Sequence, residues 1–338
     1  MRPFEYQRAG SVGEAAHAAK GAEAAIVAGG TNLLDLMKLQ VETPARLVDI
    51  TRLDLSEIAG TDDGGLRIGA LVTNADCAAD ERVRRDYAVL SRAILAGATG
   101  QLRNKATTGG NLLQRTRCYY FQDPAARCNK REPGSGCDAL EGLNRIHAIH
   151  GFSEHCIATH PSDMAVGMLA LGARVEVEGP HGKRTLALED FHRLPRDTPH
   201  IETNLEPGEI ITAVTLPAPV PRSYQAYRKA RDRSSYAFAL SSVAIVATMA
   251  DGAFNHVSFA FGGIAPTPWR NHDAEEMLKG EAPSPPLFER AADALMDGAK
   301  GHGHNDFKIP LTRRLFIAAL NDAARAGNDA ARAGRENA

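Results

Sequence analysis

Four of the chain's five cysteines, Cys118, Cys128, Cys137 and Cys156, lie between two short polar motifs, Thr107-Thr108-Gly109-Gly110-Asn111 and His160-Pro161-Ser162-Asp163. Thiols gathered in one segment can hold a metal centre, and a glycine turn lets backbone N–H groups approach an anion. The spacing Cys118-x9-Cys128-x8-Cys137-x18-Cys156 contains no CxxC, so neither a ferredoxin nor a zinc-knuckle pattern is present. The residues between are rich in Arg, Pro, Gly and Asn and poor in aliphatic side chains, so the loop cannot fold on an apolar core of its own. Four thiolates on one centre would hold it. On spacing alone, an iron–sulfur cluster, a structural zinc and unligated thiols all stay open. His147, His150, His155 and His160 read as surface or hydrogen-bonding residues, because four thiols already complete a ligand set. The remaining cysteine, Cys77, reads as a small core residue.

A second glycine turn, Gly29-Gly30-Thr31-Asn32, follows the short apolar run Ala24 to Ala28 and precedes a helical stretch, Leu33 to Lys38. A pyrophosphate suits a turn of this kind where a helix begins. The turn lacks the spacing of a dinucleotide GxGxxG or a Walker loop. Each glycine turn alone is an ordinary turn; together they favour a ligand held from two sides. Asp163, in the first turn of a helix that Ser162 can cap, serves either the helix dipole or a ligand's hydroxyls. No catalytic triad or paired carboxylates accompany these motifs, so no acid, base or nucleophile is expected.

The elements that must position these groups read as an α+β chain. A capping box at Ser11 to Glu14 opens a helix ending by Gly21. Strands are expected at Ala24–Ala28, Leu47–Ile50 and Leu66–Val72, and one amphipathic helix from Arg82 to Gly97. Ala173 to Glu178 and Arg184 to Leu188 make a hairpin, and Glu209 to Leu216 a further strand. Pro217, Pro219 and Pro221 mark a boundary. Beyond it, strands at 223–229, 238–250 and 257–261 form an antiparallel sheet, followed by helices at 286–299 and 311–325. The expected domains are 1–220, with subdomains about 1–58 and 59–220 and the cysteine loop at 114–157, then 221–327 and a frayed tail at 328–338.

The chain has 338 residues, 43% hydrophobic and 24% charged, with a formal net charge of −2, which excludes a general nucleic-acid binder. No apolar run approaches the ~20 residues of a membrane span. Without a hydrophobic signal segment at Met1 to Tyr6, a cytoplasmic location is expected.

Taken in order, Ile26-Val27-Ala28-Gly29-Gly30-Thr31-Asn32-Leu33-Leu34, Thr107 to Asn111, Pro161-Ser162-Asp163 and Tyr227-Arg228-Lys229-Ala230-Arg231-Asp232-Arg233 resemble the FAD-binding (medium) subunits of the xanthine dehydrogenase, or molybdenum hydroxylase, family. The likeness is greatest to the FAD subunits of bacterial periplasmic aldehyde oxidoreductases, in Gly29 to Lys38, in Asn111 to Cys118 and in the later cysteines. The resemblance implies an FAD-binding domain of the PCMH, or vanillyl-alcohol-oxidase, type, made of two α/β subdomains, and a C-terminal domain of the CO-dehydrogenase-flavoprotein kind. It implies that Ile26 to Leu33 bind the cofactor, Ala28 to Leu33 holding the FAD pyrophosphate through backbone N–H groups, and that Thr107, Thr108, Gly109, Gly110 and Asn111 close on it. Asp163 would bond the ribityl hydroxyls, and Lys229, with Arg233 as a weaker candidate, would sit near the isoalloxazine. Most members join the second glycine turn to the aspartate motif more directly. The aldehyde oxidoreductase branch carries an extra [4Fe–4S] cluster there, which makes the four cysteines its implied ligands.

By the same resemblance, this chain is an electron-transfer subunit of a heterotrimer. A large molybdenum-cofactor subunit would oxidise an aldehyde to a carboxylic acid. A small subunit with two [2Fe–2S] clusters would relay electrons to FAD, and an external acceptor would receive them. Carriage into the periplasm with a signal-bearing partner is the implied alternative location. Two rival readings are a self-contained FAD oxidase of the vanillyl-alcohol-oxidase type, which leaves the cysteines unexplained, and a zinc-stapled binding module, which leaves the glycine turns unexplained.

Overall fold

A computed structural model describes residues 1–21 and 23–336. The first unit is a small parallel sheet with helices. It comprises β1 (Glu5–Arg8), α1 (Val12–Ala18), β2 (Ala24–Val27), α2 (Leu33–Lys38) and β3 (Arg46–Asp49), with sheet order β1-β3-β2. The expected capping box is half formed. Ser11 Oγ accepts from Glu14 N at 3.1 Å, whereas Glu14 Oε2 accepts from Gly10 N at 2.8 Å, one residue early. The helix C-cap is Ala19, short of Gly21. Strand β1, too polar and exposed to be read from periodicity, is recruited by its register with β3.

The second unit begins with β4 (Ile58–Gly60), β5 (Leu66–Gly69), α3 (Asn74–Ala79), α4 (Glu81–Asp86), α5 (Ala88–Ala96), α6 (Gly100–Arg103), α7 (Thr108–Leu112) and α8 (Tyr119–Gln122). After the cysteine loop come α9 (Asp163–Ala170), β6 (Arg174–Gly179), β7 (Gly182–Ala187) and β8 (Ile210–Leu216), closing an antiparallel sheet of order β4-β5-β8-β6-β7. The single helix expected over Arg82 to Gly97 is broken at Tyr87, whose φ is −128° and ψ 45°. Tyr87 turns inward to donate to Pro217 O at 2.7 Å. The Gln225 side chain then accepts from Val89 N at 3.1 Å and donates to Asp86 O at 2.8 Å, so the backbone groups freed by the break find partners.

The third unit is a sheet of order β11-β10-β9, built from β9 (Tyr224–Ala230), β10 (Ser241–Ala250) and β11 (Ala253–Gly262), with α10 (His272–Leu278), α11 (Pro285–Met296) and α12 (Lys308–Glu336). Strand β10 alternates between two cores. Ala244 and Val246 join the core of the second unit, whereas Val243, Ile245 and Ala247 face the C-terminal helices. On that second face Phe259 and Phe316 lie with ring centroids 4.6 Å apart, the spacing of a favourable aromatic pair. Helix α9 is buried on every side because it lies between the two units, which explains why its sequence is apolar after Asp163. The frayed tail expected over 328–338 is corrected as far as Glu336. Ala- and Arg-rich sequence of high helix propensity continues α12 to that residue, and 337–338 lie outside the described residues. Among the described residues, no helix is long and apolar enough to cross a membrane.

Candidate functional site

The two glycine turns line one cavity of about 810 Å³, within the range of ligand pockets. The first turn supplies the whole stretch Ile26 to Leu33 to the wall. Gly29 is required by close approach, since a Cβ there would fall 1.8 Å from Lys105 O. Gly30 is required by its φ of +72°. Asn32 Oδ1 accepts from Arg115 N at 2.8 Å, while its buried Nδ2 has no partner, leaving a donor beside the cavity.

The second turn is the short helix α7 rather than a loop. Thr107 caps it by accepting from Gly110 N at 3.3 Å, and Gly109 N donates to Ala70 O at 2.9 Å. Thr107, Gly109, Gly110 and Asn111 line the cavity. Thr108 does not; it is fully buried behind the wall and donates to Val72 O at 3.0 Å. Asn111 donates to Asn74 Oδ1 at 3.2 Å and accepts from Ser162 Oγ at 2.5 Å, which locks the turn to the start of α9. Two imidazoles, His192 at 2.9 Å and His160 at 3.4 Å, meet the carbonyl of Leu112 at the turn's far end. Burial lowers the pKa of both, His192 to about 4.

Asp163 and Lys229, from opposite units, come together in the same wall as a buried ion pair at 2.7 Å. Lys229 Nζ also donates to Ala96 O at 3.2 Å, and Tyr227 donates its hydroxyl to Asp163. Burial, with the Asp163 charge second, holds the Tyr227 phenol well above its ordinary pKa, so it stays a donor. Arg233 also reaches the wall. Among the lining residues that motif reading missed are Arg103, Arg117, Gln122, Tyr236 and Phe238. Of these, the Arg117 guanidinium lies 5.0 Å from the Phe238 ring centroid. Its place beside Cys118 was the available signal.

The four cysteines converge on a second, small cavity whose wall also includes Tyr120, Phe121 and Lys130. Cys118, Cys128 and Cys156 are buried and Cys137 is half-buried. The core-poor loop does have a small apolar cluster, but it borrows Leu36 from α2 and counts the thiols among its members. Cys128 and Cys137 face each other in a bridged turn organised by Asn129, whose Oδ1 accepts from Gly134 N at 3.1 Å and Gly136 N at 2.9 Å. Burial pushes the Cys118 thiol up to about 12 and Cys156 to about 11. As free thiols these groups therefore stay protonated, and a thiophilic centre would have to displace their protons. The donor chemistry fits such a centre: four sulfurs with no carboxylate in the wall. Among the described residues, no three histidine, cysteine or carboxylate side chains meet tightly enough to enclose a single metal ion.

The loop is held from outside as well. Lys130 Nζ donates to Pro199 O at 2.8 Å and pairs with Glu202 at 2.9 Å; Glu202 also pairs with Arg115, which pairs with Glu42. Burial tends to raise the Glu202 pKa, but Lys130 and Arg115 together hold it below the ordinary value. Of the nearby histidines, His147 is buried with Nε2 3.1 Å from Cys118 Sγ, which sequence reading did not single out. His150 is buried in a stack on Trp269, and His155, half-buried beside Glu154, lines the cysteine cavity. Cys77 is a core residue, its thiol pushed up to about 12 by burial.

Residues 2–219 match the family model described as the FAD binding domain in molybdopterin dehydrogenase, and residues 225–323 match the CO dehydrogenase flavoprotein C-terminal domain. The chain is 55% identical to the aldehyde oxidoreductase FAD-binding subunit PaoB of Escherichia coli K12, over 96% of this chain and 99% of that one. It is 26% identical to the carbon monoxide dehydrogenase medium chain of Hydrogenophaga pseudoflava, over 95% and 96%. The solved carbon monoxide dehydrogenase from that organism superposes with a TM-score of 0.76 at 26% identity, covering 96% of this chain and 98% of its own. Quinoline 2-oxidoreductase from Pseudomonas putida 86 shares the fold, with a TM-score of 0.73 at 23% identity over 96% and 98%.

Proposed function

The chain belongs to the FAD-binding subunits of the molybdopterin dehydrogenases, and from that premise we propose that it passes electrons within a molybdenum-dependent aldehyde oxidoreductase. It is an oxidoreductase subunit of a molybdenum hydroxylase complex, and its cofactor is FAD. The observation that carries the finer reading is the one cavity walled by both glycine turns and by the Asp163–Lys229 pair.

In this reading the backbone N–H groups of Ala28 to Leu33 bind the pyrophosphate, with the unpaired Asn32 amide as a further donor. Thr107, Gly109, Gly110 and Asn111 close the opposite side, and Thr108 serves them by fixing α7 from behind. Asp163 accepts from ribityl hydroxyls. Because Lys229 and Tyr227 balance its charge and occupy part of its acceptor capacity, it binds without standing as a lone buried anion. Lys229 in turn presents positive charge to the isoalloxazine end, which favours an anionic ring. Bound FAD supplies the junction between one-electron carriers and a two-electron exit.

The relatives named as medium chains support an assembly with a large and a small partner. The large one, holding the molybdenum cofactor, would convert an aldehyde and water to a carboxylic acid, and the small one would carry two [2Fe–2S] clusters. Cys118, Cys128, Cys137 and Cys156 would hold a [4Fe–4S] cluster, the group that the resemblance to the aldehyde oxidoreductase branch implies for them. Bound there, the cluster supplies one-electron capacity and a staple for residues 114–157.

The test is anaerobic reduction by an aromatic or aliphatic aldehyde, followed by visible absorbance. The assembled complex is expected to lose its flavin absorbance, while the isolated FAD-loaded chain keeps it. Reduction of the isolated chain by aldehyde would instead mark a self-contained flavin oxidase and overturn the reading.

A further inference from the structure

The imidazole of His147 touches Cys118 from outside the four-cysteine set. Its Nε2 is 3.1 Å from Cys118 Sγ, and the residue is 1% exposed. Its Nδ1 is buried and has no partner among the described residues. That asymmetry chooses the tautomer. A proton on Nδ1 would bury an unpaired N–H and turn a lone pair toward the sulfur, whereas a proton on Nε2 makes a hydrogen bond to a thiolate.

The residue is also held in place with unusual thoroughness. His147 N donates to Asn144 O at 2.9 Å. Its carbonyl accepts from Lys308 Nζ at 2.9 Å and Asn305 Nδ2 at 3.2 Å. Both donors are fully buried, and Lys308 also donates to Gly263 O at 2.7 Å. A lysine ammonium buried on carbonyls alone is costly. Here it fixes the backbone of a residue whose side chain touches a cysteine sulfur from outside the set. The next residue, Ala148, donates its N–H to Ile157 O at 2.8 Å, beside Cys156.

We propose that His147 is a positioning residue for the cysteine centre, donating its Nε2–H to the Cys118 thiolate, and that Lys308 and Asn305 of the C-terminal domain hold it there. The inference rests on the reading of the four cysteines as a [4Fe–4S] site. A hydrogen bond to a ligating sulfur stabilises the more negative, reduced form of such a centre and raises its potential. The C-terminal domain thereby acts on a centre to which it contributes no ligand.

The experiment compares the assembled complex with its His147→Phe and His147→Gln variants, measuring iron and sulfide per chain and then the midpoint potential of the four-iron signal by low-temperature electron paramagnetic resonance. His147→Phe keeps the ring's bulk and removes the donor. Its one-electron reduction equilibrium is expected to fall about tenfold, about 59 mV. His147→Gln, which keeps an N–H near the Nε2 position, is expected to recover part of that shift. An unchanged potential in His147→Phe at full iron content overturns the proposal. If that variant loses its iron, the wild-type complex labelled with ¹⁵N-histidine decides: a nitrogen coupling to the reduced centre supports the contact, and its absence overturns it. A wild-type complex with no iron beyond the partners' clusters is a separate result, which removes the cluster reading and this inference with it.

Discussion

The flavin cavity and the cysteine cavity are neighbours built on opposite principles. The first is walled by regular elements: the strand-to-helix turn between β2 and α2, the starts of α7 and α9, and strands β8 and β9. Its charges are paired internally, as in Asp163–Lys229, and its turns are fixed by groups behind the wall. The second lies in a stretch whose only regular element is the four-residue α8, and it is held by side chains from elsewhere. In the cysteine site burial raises the Cys118 and Cys156 thiols, so a thiophilic centre held there would displace their protons and add cohesion to the loop. Leu36 is the hinge of the comparison, because it lines the flavin cavity and also sits in the apolar cluster around the thiols.

The largest expected effect breaks the cysteine side. Cys128→Ser should take the complex from about four irons in this chain to none. Through Leu36 and the Arg115–Glu202–Lys130 pairs it should also lower FAD occupancy. Full FAD occupancy in an iron-free variant would show that the loop does not brace the flavin wall.

The reverse perturbation is Gly29→Ala, which forces a Cβ to 1.8 Å from Lys105 O. Relieving that overlap costs about 1–3 kcal/mol of backbone shift. FAD affinity is expected to drop by at least about tenfold, with iron content unchanged, as equilibrium dialysis against FAD would show.

The smallest effect concerns pH. Burial lowers His192 from about 6.5 to about 4, so the folded chain refuses a proton that the unfolded chain accepts. The resulting loss of stability is absent above pH 6.5 and grows as pH falls toward 4. It reaches up to about 3 kcal/mol for this group. His192→Gln keeps a donor for Leu112 O without the titration, and should flatten that part of the acid denaturation curve. An identical curve in the variant would assign the acid sensitivity to other groups, His160 first among them.

Much of the flavin side was legible in the sequence because its signals are local. Gly29-Gly30 and Gly109-Gly110 mark close backbone approach, and Ser162-Asp163 marks a helix start. The pairing of Asp163 with Lys229 was not legible, since it joins residues on different units across the seam at α9. The break at Tyr87 was hidden for the same reason, its compensation coming from Gln225 far along the chain. Strand β1 has no apolar alternation and exists through its neighbour β3. On the cysteine side the thiols announced themselves. Lys130 and His147 within the loop, and Lys308 behind it, carry no spacing signal, because their roles arise from burial and not from motif.

The measurement that tests the account most directly is a count of FAD, iron, acid-labile sulfide and zinc on one anaerobically purified sample of the complex. The account predicts about one FAD per chain, with about four irons and four sulfides beyond the partners' clusters, and no stoichiometric zinc. Zinc in place of iron would contradict the cluster while leaving the flavin cavity intact. A folded, assembled complex without flavin would contradict the central claim that the two glycine turns form one FAD site.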